Sequence, residues 1–246
     1  SCNNSISSIC AYLASLDAGI PLIMGEKRSM QNLIEKYQPE MIIRSESDAS
    51  NEGYVEISKL SFGSILEISK NNKNEKNKPH KKLSLMLSTS GSTGTSKVVR
   101  LSLANLETNA RSIIQYLMIN SSDRSIQSLP LSYSYGLSLL NSHLIAGATT
   151  ILTKHSFMLP EFWKVFDEYA CTSFSGVPYI YEVLHRLKYD LGKHKSLRYC
   201  TQAGGALAPN LIKYFANQLE KKGKKFFIMY GQTEATARIS YVPPDK

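Results

Sequence analysis

Between residues 6 and 18 apolar side chains recur at helical spacing (Ile6, Ile9, Cys10, Leu13, Leu16), and the run stops at Gly19. The apolar stretch Ile20–Met24 predicts a strand, Met30–Tyr37 a helix and, after Pro39, Met41–Ile43 a second strand. Val55–Ile57 and Ile65–Ile68 predict further strands. Alternation of strand and helix implies a mostly parallel sheet in this first part. Leu83–Ser88 is a strong strand pattern, and a helix is expected from Ser102, a natural N-cap, with Leu103, Leu106, Ala110, Ile113 and Leu117 on one face.

From Asp123 onward the alternation is cleaner. Strands are expected at 125–129, 149–152, 172–175, 196–201 and 226–230, with helices at 137–145, 161–169, 179–188 and 210–221. A beat of about 25 residues is what βα units produce. The pattern therefore predicts an α/β fold of two stacked lobes with mostly parallel sheets. The first lobe spans 1–122 and holds the loop described below and its helix; the second spans 123–246.

Composition narrows the class. Hydrophobic residues make up 42% and charged residues 20% of 246, as in ordinary globular proteins. No apolar run approaches the roughly 20 residues of a membrane-spanning helix, and no secretion signal is legible, so the cytoplasm is the expected location. Cys2, Cys10, Cys171 and Cys200 form no CxxC pair and are expected to be buried free thiols.

The net charge of +9 is concentrated in two places. Residues 70–82 hold six lysines and one glutamate without aromatic interleaving, which reads as a solvated loop. Lys221, Lys222, Lys224 and Lys225 follow a predicted helix, where cations suit the C-terminus. Little net charge is left elsewhere, so nucleic acid is not an expected partner.

The chemistry concentrates in Ser88-Thr-Ser-Gly-Ser-Thr-Gly-Thr-Ser-Lys97. A strand feeds a loop of glycine and small hydroxyl residues closed by a lysine. Such a loop brings backbone N–H groups, hydroxyls and one positive charge to an anion, and a triphosphate suits it. It is not a Walker loop, because Gly91 and Gly94 are too close and Lys97 follows Ser96, not glycine. A flexible Ser/Gly linker is a poor alternative between a hydrophobic strand and Val98-Val99.

This loop resembles the phosphate loop of the adenylate-forming superfamily, which comprises acyl-CoA synthetases, peptide-synthetase adenylation domains and luciferases and reads Thr-Ser-Gly-Ser/Thr-Thr-Gly-x-Pro-Lys. The match runs from Thr89 to Gly94 and resumes at Lys97, with Ser96 where proline is usual. Pro130-Leu-Ser-Tyr-Ser-Tyr-Gly136, Ala203-Gly-Gly-Ala-Leu-Ala-Pro209 and Tyr230-Gly-Gln-Thr-Glu-Ala235 are similar to three further family segments, in order. Leu16-Asp-Ala-Gly-Ile-Pro21 is a weaker echo.

The resemblance implies the large N-terminal domain of such an enzyme, incomplete, and an acid activated by ATP to an acyl-adenylate with loss of pyrophosphate. It implies a phosphate cradle of Thr89, Ser90, Gly91, Ser92, Thr93, Gly94 and Lys97. Gly205, Ala206, Tyr230, Gly231 and Gln232 would border the nucleotide, with Tyr230 on adenine and Thr233 on the α-phosphate. Thr89 and Glu234 would hold Mg²⁺, and Tyr133 with Gly204 would line the acid pocket. Lys97, Thr233 and Glu234 carry the expected catalytic roles. CoA or a phosphopantetheine thiol is the implied acceptor, the latter on a carrier protein.

Independently of the family, the segment at Tyr230 follows an apolar strand, where open α/β sheets bind ligands. Tyrosine there can stack on a base, threonine can reach a phosphate and glutamate can hold Mg²⁺. The histidines (His80, His143, His155, His185, His194) show no ligand spacing; His143 is expected in the core or a pocket wall, and Trp163 in helix packing. Ser128–Ser138 contains no acidic residue, whereas amino-acid-activating relatives pair an aspartate with the substrate amine; an acyl or aryl acid is expected.

After Glu234 the family continues with a ribose-binding aspartate, a hinge and a mobile domain carrying a catalytic lysine. The chain stops at Lys246, so weak ATP binding without normal adenylation is expected of it alone. A non-catalytic nucleotide-binding module and an amino-acid adenylation domain remain alternatives; a P-loop kinase is disfavoured.

Overall fold

A computed structural model describes residues 3–25, 29–60, 63–70, 79–89 and 97–245. The chain forms two compact units, 1–103 and 104–246. The expected division at 122/123 lies one helix further along the chain.

In the first unit, helix α1 (Ile6–Asp17) is capped by Ser5, whose side chain accepts from the Ser8 amide. Its expected apolar face stays largely in solvent, and Tyr12 is its buried residue. Cys10 is exposed, not buried as expected, because it lies on that outward face. Cys171 and Cys200 are buried free thiols, and Cys2 lies outside the described residues.

Strand β1 (Leu22–Met24), helix α2 (Met30–Tyr37) and strands β2 (Met41–Ser45), β3 (Tyr54–Leu60) and β4 (Ser64–Ser69) follow. Next come β5 (Leu85–Ser88) and β6 (Val98–Leu101). β1 pairs parallel with β5, but β5–β6 and the sheet β2-β4-β3 are antiparallel. The mostly parallel sheet expected here does not form, because three residues between β3 and β4 cannot make a crossover. The second sheet is tied by Arg44 Nε, which donates to buried Glu67 at 2.7 Å, and by Asn51, which donates to the other carboxylate oxygen.

The second unit carries nearly all of helix α3 (Leu103–Leu117), whose Leu106, Ala110, Ile113 and Leu117 are buried on the expected face. Then come β7 (Arg124–Ile126), α4 (Ser134–Ile145), β8 (Thr149–Ile151), α5 (Pro160–Glu168), β9 (Ser173–Gly176) and α6 (Pro178–Arg186). β10 (Tyr199–Gln202), α7 (Pro209–Glu220), β11 (Lys225–Tyr230) and β12 (Ser240–Val242) complete it. The sheet order is β12-β11-β10-β9-β7-β8, parallel except for β12.

β9 and β10 are buried at every position, as expected of parallel strands covered on both faces. Proline at the first turn of α5, α6 and α7 starts each helix without losing an intrahelical bond. Phe162, Phe166, Phe174, Tyr181 and Phe215 fill the core, and Trp163 packs among them and on His194. No helix among the described residues is long and apolar enough to cross a membrane.

Candidate functional site

Parallel topology decides where the second unit can hold a ligand. β9 and β10 end together, with Gln202 opposite Gly176, and β11, whose Ile228 faces Gln202, runs on to Tyr230. The loops leaving these strands, and the segment leading from β7 into α4, therefore emerge at one edge of the sheet. That edge carries three of the four motif segments.

The segments touch. Gly204 has φ +85°, and a Cβ there would stand 2.3 Å from the Tyr133 hydroxyl. Glycine thus meets both a left-handed backbone and a close approach by the tyrosine. Buried Gln202 donates to the Gly205 carbonyl at 2.9 Å and fixes the Gly-Gly turn. At the N-terminus of α4, Ser134 Oγ lies 3.0 Å from Thr233 Oγ1. Tyr135, one residue on, hydrogen-bonds Thr201 Oγ1 at 2.7 Å, and Thr201 in turn bonds Ser175. Burial raises the Tyr133 phenol and pushes that of Tyr135 up to about 12, so both stay neutral hydrogen-bonding groups near pH 7.

Thr233–Ala235 form one turn of 3₁₀ helix after β11. Gly231 is obligatory for its closure, since a Cβ would lie 1.6 Å from the Ala237 carbonyl oxygen. Gly204, Gly205, Ala206, Gln232 and Glu234 are exposed, Thr233 is half-buried, and Tyr230 is 60% exposed. A framework buried beneath and donors open above is an arrangement that can receive a ligand.

The phosphate-loop residues belong to the first unit. Thr89 donates from its amide to the Lys97 carbonyl at 2.9 Å and from its hydroxyl at 3.3 Å, next to the Ser88–Val98 pair. Lys97 is exposed. Ser90, Gly91, Ser92, Thr93 and Gly94 lie outside the described residues. A strand, β6, follows Lys97, and the next helix starts only at Leu103. Hence no helix N-terminus directly follows this loop, and the strand–loop–helix context of a Walker loop is absent.

Among the described residues no cluster of three or more His, Cys, Asp or Glu could cage a metal. Thr89 and Glu234 supply one hydroxyl and one exposed carboxylate, which are hard oxygen donors. Each is an oxygen donor of the kind Mg²⁺ takes, an ion that keeps waters and takes ligands from substrate phosphates.

The description of AMP-binding enzymes matches residues 2–246. The chain belongs to the AMP-binding enzyme family. An oxalate–CoA ligase of Arabidopsis thaliana is 29% identical to this family member over 164 residues, 65% of the chain and 31% of the relative. An acyl-CoA synthetase of Alternaria alternata is 35% identical over 163 residues, 63% of the chain and 27% of the relative. The o-succinylbenzoate CoA synthetase of Bacillus subtilis, solved in complex with AMP, is similar at a TM-score of 0.57 and 27% identity, over 66% of this chain and 32% of that one. The chain thus spans about a third of the length of the curated relatives it matches. Its fold is that of the N-terminal domain of adenylate-forming enzymes, α/β with largely parallel sheets.

Motif reading named Tyr133, Gly204 and Thr233, but not Ser134, Tyr135, Thr201, Gln202 or Arg238. Ser134 and Tyr135 lie inside the segment Pro130–Gly136, so their place was legible though their bonds were not. Thr201 and Gln202 end a strand with nothing to distinguish them, and Arg238 follows the last motif as an isolated cation.

Proposed function

We propose that the protein to which this chain belongs activates a carboxylic acid with ATP and passes the acyl group to a thiol. A carboxylate oxygen attacks the α-phosphorus, the bond from that phosphorus to the bridging oxygen breaks, and pyrophosphate leaves. The thiol, of CoA or of a carrier protein's phosphopantetheine arm, then displaces AMP from the acyl carbon.

The observation that carries this reading is the meeting of Tyr133 with Gly204 and of Ser134 with Thr233 at one sheet edge. On this reading Tyr230 stacks on adenine beside Gly205 and Ala206, Gly231 and Gln232 border the nucleotide, and Thr233 donates to the α-phosphate. Thr89, Ser90, Gly91, Ser92, Thr93, Gly94 and Lys97 receive the β- and γ-phosphates. Mg²⁺, held by Thr89 and Glu234, would offset the charge of the departing pyrophosphate. Positioning and fixed charge supply the catalysis, since the protein forms no covalent bond.

The acid is read as lacking an α-amino group. No acidic side chain lies between Ser128 and Ser138, and the two curated relatives above act as CoA ligase and acyl-CoA synthetase. Carboxylate-dependent ATP–pyrophosphate exchange by the full-length protein, across fatty, aryl and amino acids, tests this. Exchange with fatty or aryl acids supports it, and exchange with amino acids alone moves the assignment to an amino-acid adenylation domain. MgATP binding without any exchange makes it a nucleotide-binding module.

A further inference from the structure

Arg238 is 7% exposed, yet no carboxylate among the described residues pairs with it. Its Nε donates to Ser138 Oγ on α4 at 3.2 Å. Its Nη1 reaches Tyr116 OH on α3 at 3.0 Å and Met229 Sδ on β11 at 3.3 Å. The guanidinium lies 4.8 Å over the ring of Tyr135, and its buried Nη2 has no hydrogen-bond partner among the described residues. A buried guanidinium without a carboxylate is a poor stabiliser, and an apolar side chain of similar length would fill the space without its desolvation cost.

What the side chain does supply is geometry. The planar fork fixes several directions at once, here toward α3, α4 and β11. Its own main chain closes the turn: the Arg238 carbonyl accepts from Asn109 Nδ2 at 2.9 Å. The preceding Thr236 and Ala237 are both left-handed, at φ 59° and 92°, and the Ala237 amide donates back to Gln232. Two such residues in succession are strained outside glycine and persist only where their surroundings hold them.

We infer that Arg238 is a positioning residue, a clamp that fixes the Thr233–Glu234 turn against α4, the helix that carries Tyr133 and Ser134. This rests on the adenylation reading for its effect on turnover, but not for the clamp itself. α4 is thereby joined to the turn through Ser134–Thr233 and, from Tyr135 and from Ser138 one turn further, to Arg238.

The test uses Arg238→Met and Arg238→Lys in the full-length protein. Arg238→Met is expected to fold and melt close to the parent, while the amides of residues 232–237 exchange hydrogen at least about tenfold faster and those of α4 do not. Pyrophosphate-exchange kcat is expected to fall about a hundredfold, as for a misplacement of about 1 Å, with a far smaller change in KM for the acid. Arg238→Lys, which keeps the charge and one bond, is expected to recover part of both.

Folded Arg238→Met with unchanged amide protection and kcat would overturn the inference. So would activity lost only in proportion to unfolded protein, with no partial rescue by lysine. Should Arg238→Met not fold, Arg238→Lys decides by the same two readouts. Should the parent show no exchange with any acid, the adenylation reading falls, and amide protection still decides the clamp.

Discussion

Ser134 Oγ and Thr233 Oγ1 lie 3.0 Å apart across 99 residues of sequence. One is the first residue of α4, directly after the N-cap Tyr133, and the other opens the turn after β11. The bond couples the proposed acid pocket to the proposed α-phosphate contact, and it is available for a double-mutant cycle.

Removing the Thr233 hydroxyl is expected to matter more for turnover than for stability. Thr233→Ala gives up one half-buried hydrogen bond, about 1 kcal/mol, but on the adenylation reading it also removes a donor to the α-phosphate. Exchange kcat is expected to fall about 100-fold. Ser134→Ala is expected to reduce it less, and the double variant to show non-additivity. Equal small effects from both single variants would reject the role given to Thr233.

The two glycines should differ in cost. Gly204→Ala meets a left-handed φ and the movable end of Tyr133, so a loss of about 1–2 kcal/mol is expected. Gly231→Ala drives a Cβ against the Ala237 backbone oxygen, which cannot swing aside, and a loss of about 3 kcal/mol is expected. Urea denaturation of both variants measures the order, and a cheaper Gly231→Ala would contradict the closed turn.

Lys97 is exposed, so Lys97→Ala should leave stability within about 0.5 kcal/mol of the parent. Losing a charge-assisted bond to phosphate should weaken MgATP binding about 10- to 100-fold. Calorimetric titration reads this directly. Unchanged affinity would remove the phosphate-loop assignment altogether.

Stability should depend on pH through two histidines. Burial lowers His143, with partial offset from its bond to the Leu139 carbonyl; burial also lowers His194 despite its bond to Asp167. In both cases the unfolded chain takes up the proton more readily than the folded one as pH falls below about 6.5. Their contribution is full above that value and lost beneath it. Burial raises Glu67 and Asp123, but hydrogen bonds from Asn51 and Arg44, and from Arg198 and Thr172, outweigh it. Their contribution is lost at still lower pH. The melting temperature is expected to drop from pH 7.5 to pH 5 and again below about pH 4; a flat profile would argue against both groups.

The second unit was the more legible half because its strands are buried on both faces and separated by helices of regular period. β9, β10 and β11 fall close to the apolar runs that predicted them. Parallel order then sends the Gly204 and Tyr230 segments to one edge, so proximity of the motifs followed from local pattern. The first unit read less well. β3 and β4 have the composition of any short strand, and direction is set by the length of the connection and by partners such as Arg44 and Glu67. β6 was hidden because Val98 and Val99 adjoin a glycine-rich loop and give too short an apolar run to register as a strand.

By itself the sequence determined the α/β class, the order of the motif segments and the residue types that the proposal assigns to the nucleotide. Those depend on local periodicity and on side-chain chemistry, which travel with the chain. Only the tertiary structure decided that Ser134 meets Thr233, that Gly204 makes room for Tyr133, and that Arg238 is buried without a carboxylate among the described residues. Each of these is a contact between segments distant in sequence or a burial imposed by packing, and neither leaves a local pattern to read.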